Sequence, residues 1–249
     1  MSHETTEIVT DDGTCPAHVF RPAGTGPWPA VLLYMDGIGM RPALHAIAER
    51  LASGGYYVLM PDMFYRGGPY VAPDPKQLFA DEAMRKAHFA KFFAPDFIDR
   101  AMRDTRAFLA FLDAQPDARA DRIAVAGYCM GGRLAIVAAG TFGDRIAAAA
   151  AFHPGNVVTD APDSAHLLAP GIRARVYVAG ATDDATFTDD HKQRLADALT
   201  AAGVDHVIET YPARHGFVPA DTPVHDPACA DRHWRALFDL LGQTIARGV

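Results

Sequence analysis

Ile123-Ala-Val-Ala-Gly127-Tyr-Cys129-Met-Gly131-Gly132-Arg-Leu-Ala-Ile-Val-Ala-Ala139 is the stretch that decides how this chain folds. Its first half is a β-rich apolar run that stops at Gly127. Its second half, from about Gly132 to Gly140, is an alanine-rich helical run. Cys129 sits between them on a sharp strand-to-helix turn. Gly127 and Gly131, two residues before and two after, are the small residues such a turn needs, since a Cβ there would meet adjacent backbone. The turn lifts the sulfur clear of the sheet and aims the first helical N–H groups at it, which favours an anion. A buried cysteine in an ordinary βα turn is the plainer reading, because free cysteine packs like a small hydrophobe.

Working outward, apolar strands alternate with helical stretches. Strands are expected near Glu7–Thr10 and Ala17–Phe20, with an Asp12-Gly13 turn between them. Further strands fall at Ala30–Tyr34, Tyr57–Met60, Ile123–Ala126, Ile146–Phe152, Arg175–Val178 and His206–Tyr211. Helices fall near 42–52, 81–93, 96–114, 132–140, 189–202 and 230–246. This alternation implies an α/β protein with a doubly wound, mostly parallel sheet flanked by helices. The 249 residues fit a single domain, 1–249, and 49% hydrophobic content supplies a large core. The longest departure from βα alternation is the excursion from about Met63 to Pro95, dense in aromatics and placed where lids and pocket walls tend to lie.

A net charge of -7 argues against a nucleic-acid or membrane-surface role. The polar, acidic start Met-Ser-His-Glu-Thr-Thr-Glu shows no signal peptide, and no apolar run is long enough to cross a bilayer. Cys15, Cys129 and Cys229 lie far apart, in no metal-ligand or CxxC spacing. They read as reduced thiols of a cytoplasmic protein, with no metal or organic cofactor implied.

An activated thiol needs a base, and the base needs a group that fixes its tautomer. Asp183 follows the strand ending at Val178, and His215 follows the strand ending at Tyr211. Nucleophile, acid and histidine thus occur in chain order on loops at the C-terminal ends of strands, where open α/β sheets place their sites. Asp184 is the neighbouring alternative, which a one-residue shift of the strand end would select. His153 also follows a strand but precedes the acid, so it is expected to line the pocket. The oxyanion hole is expected to use the N–H groups of Met130 and Gly37.

These motifs, Gly127-Tyr-Cys129-Met-Gly-Gly, Met35-Asp36-Gly-Ile-Gly39, Gly180-Ala-Thr-Asp183 and His215-Gly-Phe217, together resemble the dienelactone hydrolase family over nearly the whole chain. The resemblance implies a compact α/β-hydrolase fold with no separate cap domain and a Cys-Asp-His triad. It also implies a small anionic ester or lactone as substrate. Two positions depart from the family pattern. Asp36 stands where the family has a glutamate thought to contact the nucleophile, so Asp36 is expected to modulate Cys129. Pro219 stands where the family has a substrate-binding arginine, which leaves Arg85, Arg66 or Arg214 as substitutes. Tyr65 and Phe89 are expected to wall the cavity above Cys129. The expected activity is therefore hydrolysis of a small-molecule ester or lactone through a thioester acyl-enzyme, by a protein expected to be monomeric. A broad esterase or thioesterase is the alternative, and a non-catalytic ligand-binding homologue a third.

Overall fold

A run free of polar side chains from Ile123 to Gly127 has to be covered on both faces, and the fold is arranged around that requirement. The computed structural model describes residues 1–246. In chain order the main elements are β1 (Ser2–Thr10), β2 (Gly13–Arg21), β3 (Trp28–Tyr34), α1 (Pro42–Ser53) and β4 (Tyr57–Pro61). Next come α2 (Pro75–Ala80), α3 (Glu82–Phe92), α4 (Phe97–Asp113), β5 (Ala118–Tyr128), α5 (Met130–Thr141) and β6 (Ile146–Phe152). The last are β7 (Arg175–Ala181), α6 (Asp189–Ala201), β8 (His206–Tyr211) and α7 (Pro227–Thr244).

Among the described residues the strands form one eight-stranded sheet in the order β1-β2-β4-β3-β5-β6-β7-β8. The β1–β2 and β2–β4 pairs are antiparallel, and every pair from β4 through β3 to β8 is parallel. Ile123, Val125 and Ala126 have no exposed surface, as expected of a strand covered on both sides. The amphipathic α4 supplies part of that cover through Ala101, Phe108 and Leu112, all buried on its sheet-facing stripe.

Several elements outrun the sequence pattern. The first two strands run over nine residues each and pair from Ser2↔Arg21 to Thr10↔Gly13, so Asp11-Asp12 forms the hairpin loop. Their outer ends are polar and therefore carry no alternation to read. β5 begins at Ala118, where charged residues precede the apolar run, and β7 continues to Ala181. The excursion carries a short 3₁₀ turn, Tyr65–Gly67, as well as α2 and α3. No helix among the described residues is long and apolar enough to cross a membrane.

Register brings the site loops to one end of the sheet. Tyr34 pairs with Gly127, Tyr128 with Phe152, Phe152 with Ala179, and Ala181 with Tyr211. The chain after each of β3, β5, β6, β7 and β8 therefore leaves the sheet at the same level.

Candidate active site

The turn at Cys129 is a strained one. Cys129 has φ 53° and ψ -114°, and helix α5 begins at the next residue. A left-handed non-glycine residue of this kind costs on the order of 1–3 kcal/mol and persists only where its surroundings enforce it. The enforcement is backbone packing. A Cβ on Gly127 would lie 2.1 Å from the Gly131 carbonyl oxygen, and one on Gly131 would lie 2.5 Å from the carbonyl oxygens of both Tyr34 and Met35. The Cys129 N–H donates to Phe152 O at 3.1 Å, while its carbonyl accepts from Gly132 and Gly155. Cys129 is left partly exposed.

His215 meets this sulfur. The sulfur and the ring both stand beside Gly155, 3.7 Å and 3.8 Å from where its Cβ would lie, and the ring Nδ1 donates to a carboxylate oxygen, Asp184 Oδ2, at 2.7 Å. The expected partner, Asp183, is not the one. With β7 running on to Ala181, the Thr182 N–H bonds back to Tyr211 O and Ala213 O. Asp183 then takes φ 55° and is exposed, and the turn swings Asp184 inward to 7% exposure. Thr186 completes the arrangement. Its N–H and its Oγ1 both donate to Asp184 Oδ1, at 2.9 and 2.7 Å, which leaves Oδ2 for the histidine. Thr186 escaped the sequence reading, although Asp184-Ala-Thr186 has the Asp-x-Thr spacing of a side-chain-closed turn.

Charge follows this geometry. Burial works against a charged imidazole, yet the Cys129 sulfur and the Asp184 carboxylate raise the proton affinity of His215 well above its ordinary value. Burial also opposes the Asp184 carboxylate, but the hydrogen bonds from His215 and Thr186 hold it below the usual range. His153 behaves oppositely. Burial, reinforced by neighbouring His215 and His233, drives its proton affinity well below the ordinary value. It is 1% exposed and packs edge-on to His215, with ring centroids 5.1 Å apart. His153 is thus a support beneath the histidine and not a pocket wall as expected, because its N–H to Ala179 O pulls it in as an extension of the sheet.

The β3–α1 loop forms the facing wall. A Cβ on Gly37 would lie 3.4 Å from Phe93, 3.7 Å from Phe89 and 3.9 Å from Met130. Gly37 and Met130, the two expected oxyanion donors, are therefore neighbours, and Phe89 stands over them. Met130 opens α5, so its N–H has no acceptor within the helix.

Asp36 does not face Cys129 as a free carboxylate. Its two oxygens take the Arg41 fork at 2.7 and 2.8 Å, and Oδ1 also accepts from Ile38 N–H. Its charge is neutralised by that guanidinium. Arg41, 6% exposed, reaches on to Asp221 at 2.7 and 3.2 Å and to Gly39 O. It thereby ties this loop to the segment following His215.

Tyr65 is also displaced from its expected place. Its hydroxyl bonds Thr10 Oγ1 at 2.7 Å and Asp104 at 3.1 Å, beside the β1–β2 hairpin and away from the thiol. The residues before it form a turn that lays its ring against Gly13. Arg66 is spent on Asp12 and the fully buried Asp104. Arg85 folds back on the Phe79 carbonyl, and Arg214 is exposed. Cys15 and Cys229 are buried, and burial pushes both thiols up. Among the described residues no group of three or more His, Cys, Asp or Glu is arranged to hold a metal ion.

Comparison with known proteins agrees with this fold. The sequence model of the dienelactone hydrolase family matches residues 15–245. A protein of Methylorubrum extorquens with the provisional name carboxymethylenebutenolidase is 28% identical over 248 residues, 95% of this chain and 79% of its own. The carboxymethylenebutenolidase of a Pseudomonas strain is 32% identical over 119 residues, 48% of this chain and 47% of its own. The crystal structure of a Klebsiella pneumoniae protein, provisionally called a dienelactone hydrolase, superimposes with a TM-score of 0.84 at 22% identity, covering 97% of this chain and 98% of that one.

Proposed function

Because the chain belongs to the dienelactone hydrolase family and is a hydrolase, we propose that it cleaves small esters and lactones through a thioester on Cys129. The observation that carries this reading is a thiol at a strained elbow with His215 beside it and Asp184 bonded to that histidine. His215 takes the thiol proton, and the sulfur attacks the carbonyl carbon. The carbonyl oxygen becomes an oxyanion held by the N–H groups of Met130 and Gly37. As the intermediate collapses, the C–O bond to the leaving group breaks, and the leaving oxygen takes the proton from His215. Water, deprotonated by the same ring, then attacks the thioester and frees the acid and the thiol. Asp184 keeps the Nδ1 proton in place, and Thr186 keeps Asp184 in place.

Arg41 favours a second, narrower reading, in which the preferred substrate is neutral. An arginine has five N–H donors, and those of Arg41 go to Asp36 twice, Asp221 twice and Gly39 O. None is left for a substrate carboxylate. One guanidinium against two carboxylates also leaves this corner negative. A like charge near it costs on the order of 1 kcal/mol or more, which is about fivefold to tenfold in rate.

The test compares 4-nitrophenyl acetate with its anionic relative, the 4-nitrophenyl monoester of succinic acid. The neutral ester should have the higher kcat/KM, by about fivefold to tenfold, with the gap narrowing in Asp221→Asn. A preference for the anion would remove the second reading and keep the first. Turnover of neither these esters nor a dienelactone would remove both.

A further inference from the structure

The excursion between β4 and α4 packs against the loop that carries Gly37. His88, on α3, points its Nε2 at the Gly37 carbonyl oxygen, 2.9 Å away. A carbonyl only accepts, so Nε2 carries the proton and donates it, and the neutral ring suffices for this. The ring is boxed by Phe64, Phe89 and Phe92, with centroids 5.9, 5.6 and 5.1 Å away. Packing of that kind fixes the ring plane and with it the direction of the N–H.

The peptide unit joining Gly37 to Ile38 is therefore held from both sides. Its C=O accepts from His88, and its N–H donates to Asp36 Oδ1 at 3.0 Å. Asp36 is itself held by Arg41. Gly37 would otherwise rotate freely, since it lacks the Cβ that restricts other residues. With Asp36 held by Arg41 on the N-terminal side and this peptide pinned on the C-terminal side, the glycine's two dihedrals are confined between them, and with them the direction of the Gly37 N–H.

We infer that His88 is a positioning residue for the oxyanion hole: by holding the Gly37 carbonyl it aims the Gly37 N–H at the developing oxyanion. This rests on the ester-hydrolase reading above. The gain is preorganisation. A donor already aimed at the place where charge develops costs no reorientation during the reaction. The effect therefore falls on the transition state and leaves the substrate ground state nearly alone.

The experiment uses two reactions of the same thiol. Hydrolysis of 4-nitrophenyl acetate passes through an oxyanion. Alkylation of Cys129 by iodoacetamide is displacement at a saturated carbon and forms none. His88→Phe keeps an aromatic ring in the box and removes the donor. It should lower kcat about tenfold, less than the roughly 10²–10³ lost on deleting an oxyanion donor outright. KM and the alkylation rate should stay near those of the wild type. His88→Gln, whose amide can donate from a similar position, should recover most of the loss. Should the phenylalanine variant not fold, His88→Leu replaces it in the same comparison.

An unchanged kcat in a folded donorless variant would overturn the inference. So would parallel losses in hydrolysis and alkylation, or a defect confined to KM, since those belong to a lid that merely shapes the pocket. If glutamine fails to restore what phenylalanine removes, the hydrogen bond is not the agent. Absence of turnover in the wild type would instead strike at the ester-hydrolase reading itself.

Discussion

Cys129→Ala is expected to lower kcat for a neutral ester by about 10⁶-fold, and His215→Ala by nearly as much, with the double variant hardly worse than either alone. The three results belong together. On the proposed mechanism nucleophile and base make one reacting unit, since the Cys129 sulfur lies beside the His215 ring and raises its proton affinity. Losing either leaves only the oxyanion donors and substrate binding, so the second loss has little left to remove. Neither change should unfold the protein. Alanine at 129 faces the same φ of 53° that the cysteine already tolerates, and His215 is not part of the core, with 26% of its side chain exposed. Steady-state hydrolysis, read beside thermal melting, checks both parts. Retention of more than a small fraction of turnover in Cys129→Ala would mean that the thiol is not the nucleophile.

The next largest effect separates two adjacent aspartates. Asp184→Asn should reduce kcat by about 10³–10⁴-fold, whereas Asp183→Asn should leave it within about twofold, as for a solvent-facing side chain away from the chemistry. Asp184 Oδ1 accepts two hydrogen bonds from Thr186, so an asparagine keeps its oxygen there and turns its NH₂ toward His215. Facing a donor, Nδ1 becomes the acceptor, and the ring proton moves to Nε2. That nitrogen can then no longer accept the proton of the thiol. The carboxylate is also among the groups that raise the proton affinity of His215, so the histidine should titrate lower in Asp184→Asn. A ¹H–¹⁵N titration of the ring would register both changes. Equal losses at 183 and 184 would contradict the geometry.

How far the sequence foretold this site depends on the range of the interaction in question. The elbow is legible because its cause is local: two glycines and a cysteine at a strand-to-helix junction leave few other backbone paths. The parallel sheet is legible for the same reason, since uninterrupted apolar runs such as Ile123–Gly127 fit only a strand covered on both faces. The sequence favours Asp183 over Asp184 as the histidine's partner, whereas it is Asp184 that bonds His215. Apolar character fades after Ala179, so the pattern hides the last residues of β7, and the left-handed backbone at Asp183 depends on hydrogen bonds from Thr182 to the β8 end.

Other parts of the site rest on contacts between distant positions. His88 meets Gly37 across 51 residues, and Arg41 meets Asp221 across 180. No spacing rule links such pairs. The dense aromatics of the excursion announced burial but not direction, which is why Phe89 stands over Gly37 while Tyr65 turns to Thr10. Asp36 was misjudged because its partner, Arg41, lies beyond a turn that local reading treats as plain loop.

The most direct test is to catch the acyl group. The protein is mixed with a neutral activated ester whose acyl-enzyme hydrolyses slowly, quenched in acid during turnover, and weighed intact before peptide mapping. A single acyl group should appear on the peptide that carries Cys129, form at least as fast as turnover, and be released by neutral hydroxylamine as a thioester is. An acyl group on any other residue, or steady turnover by Cys129→Ala, would contradict the account.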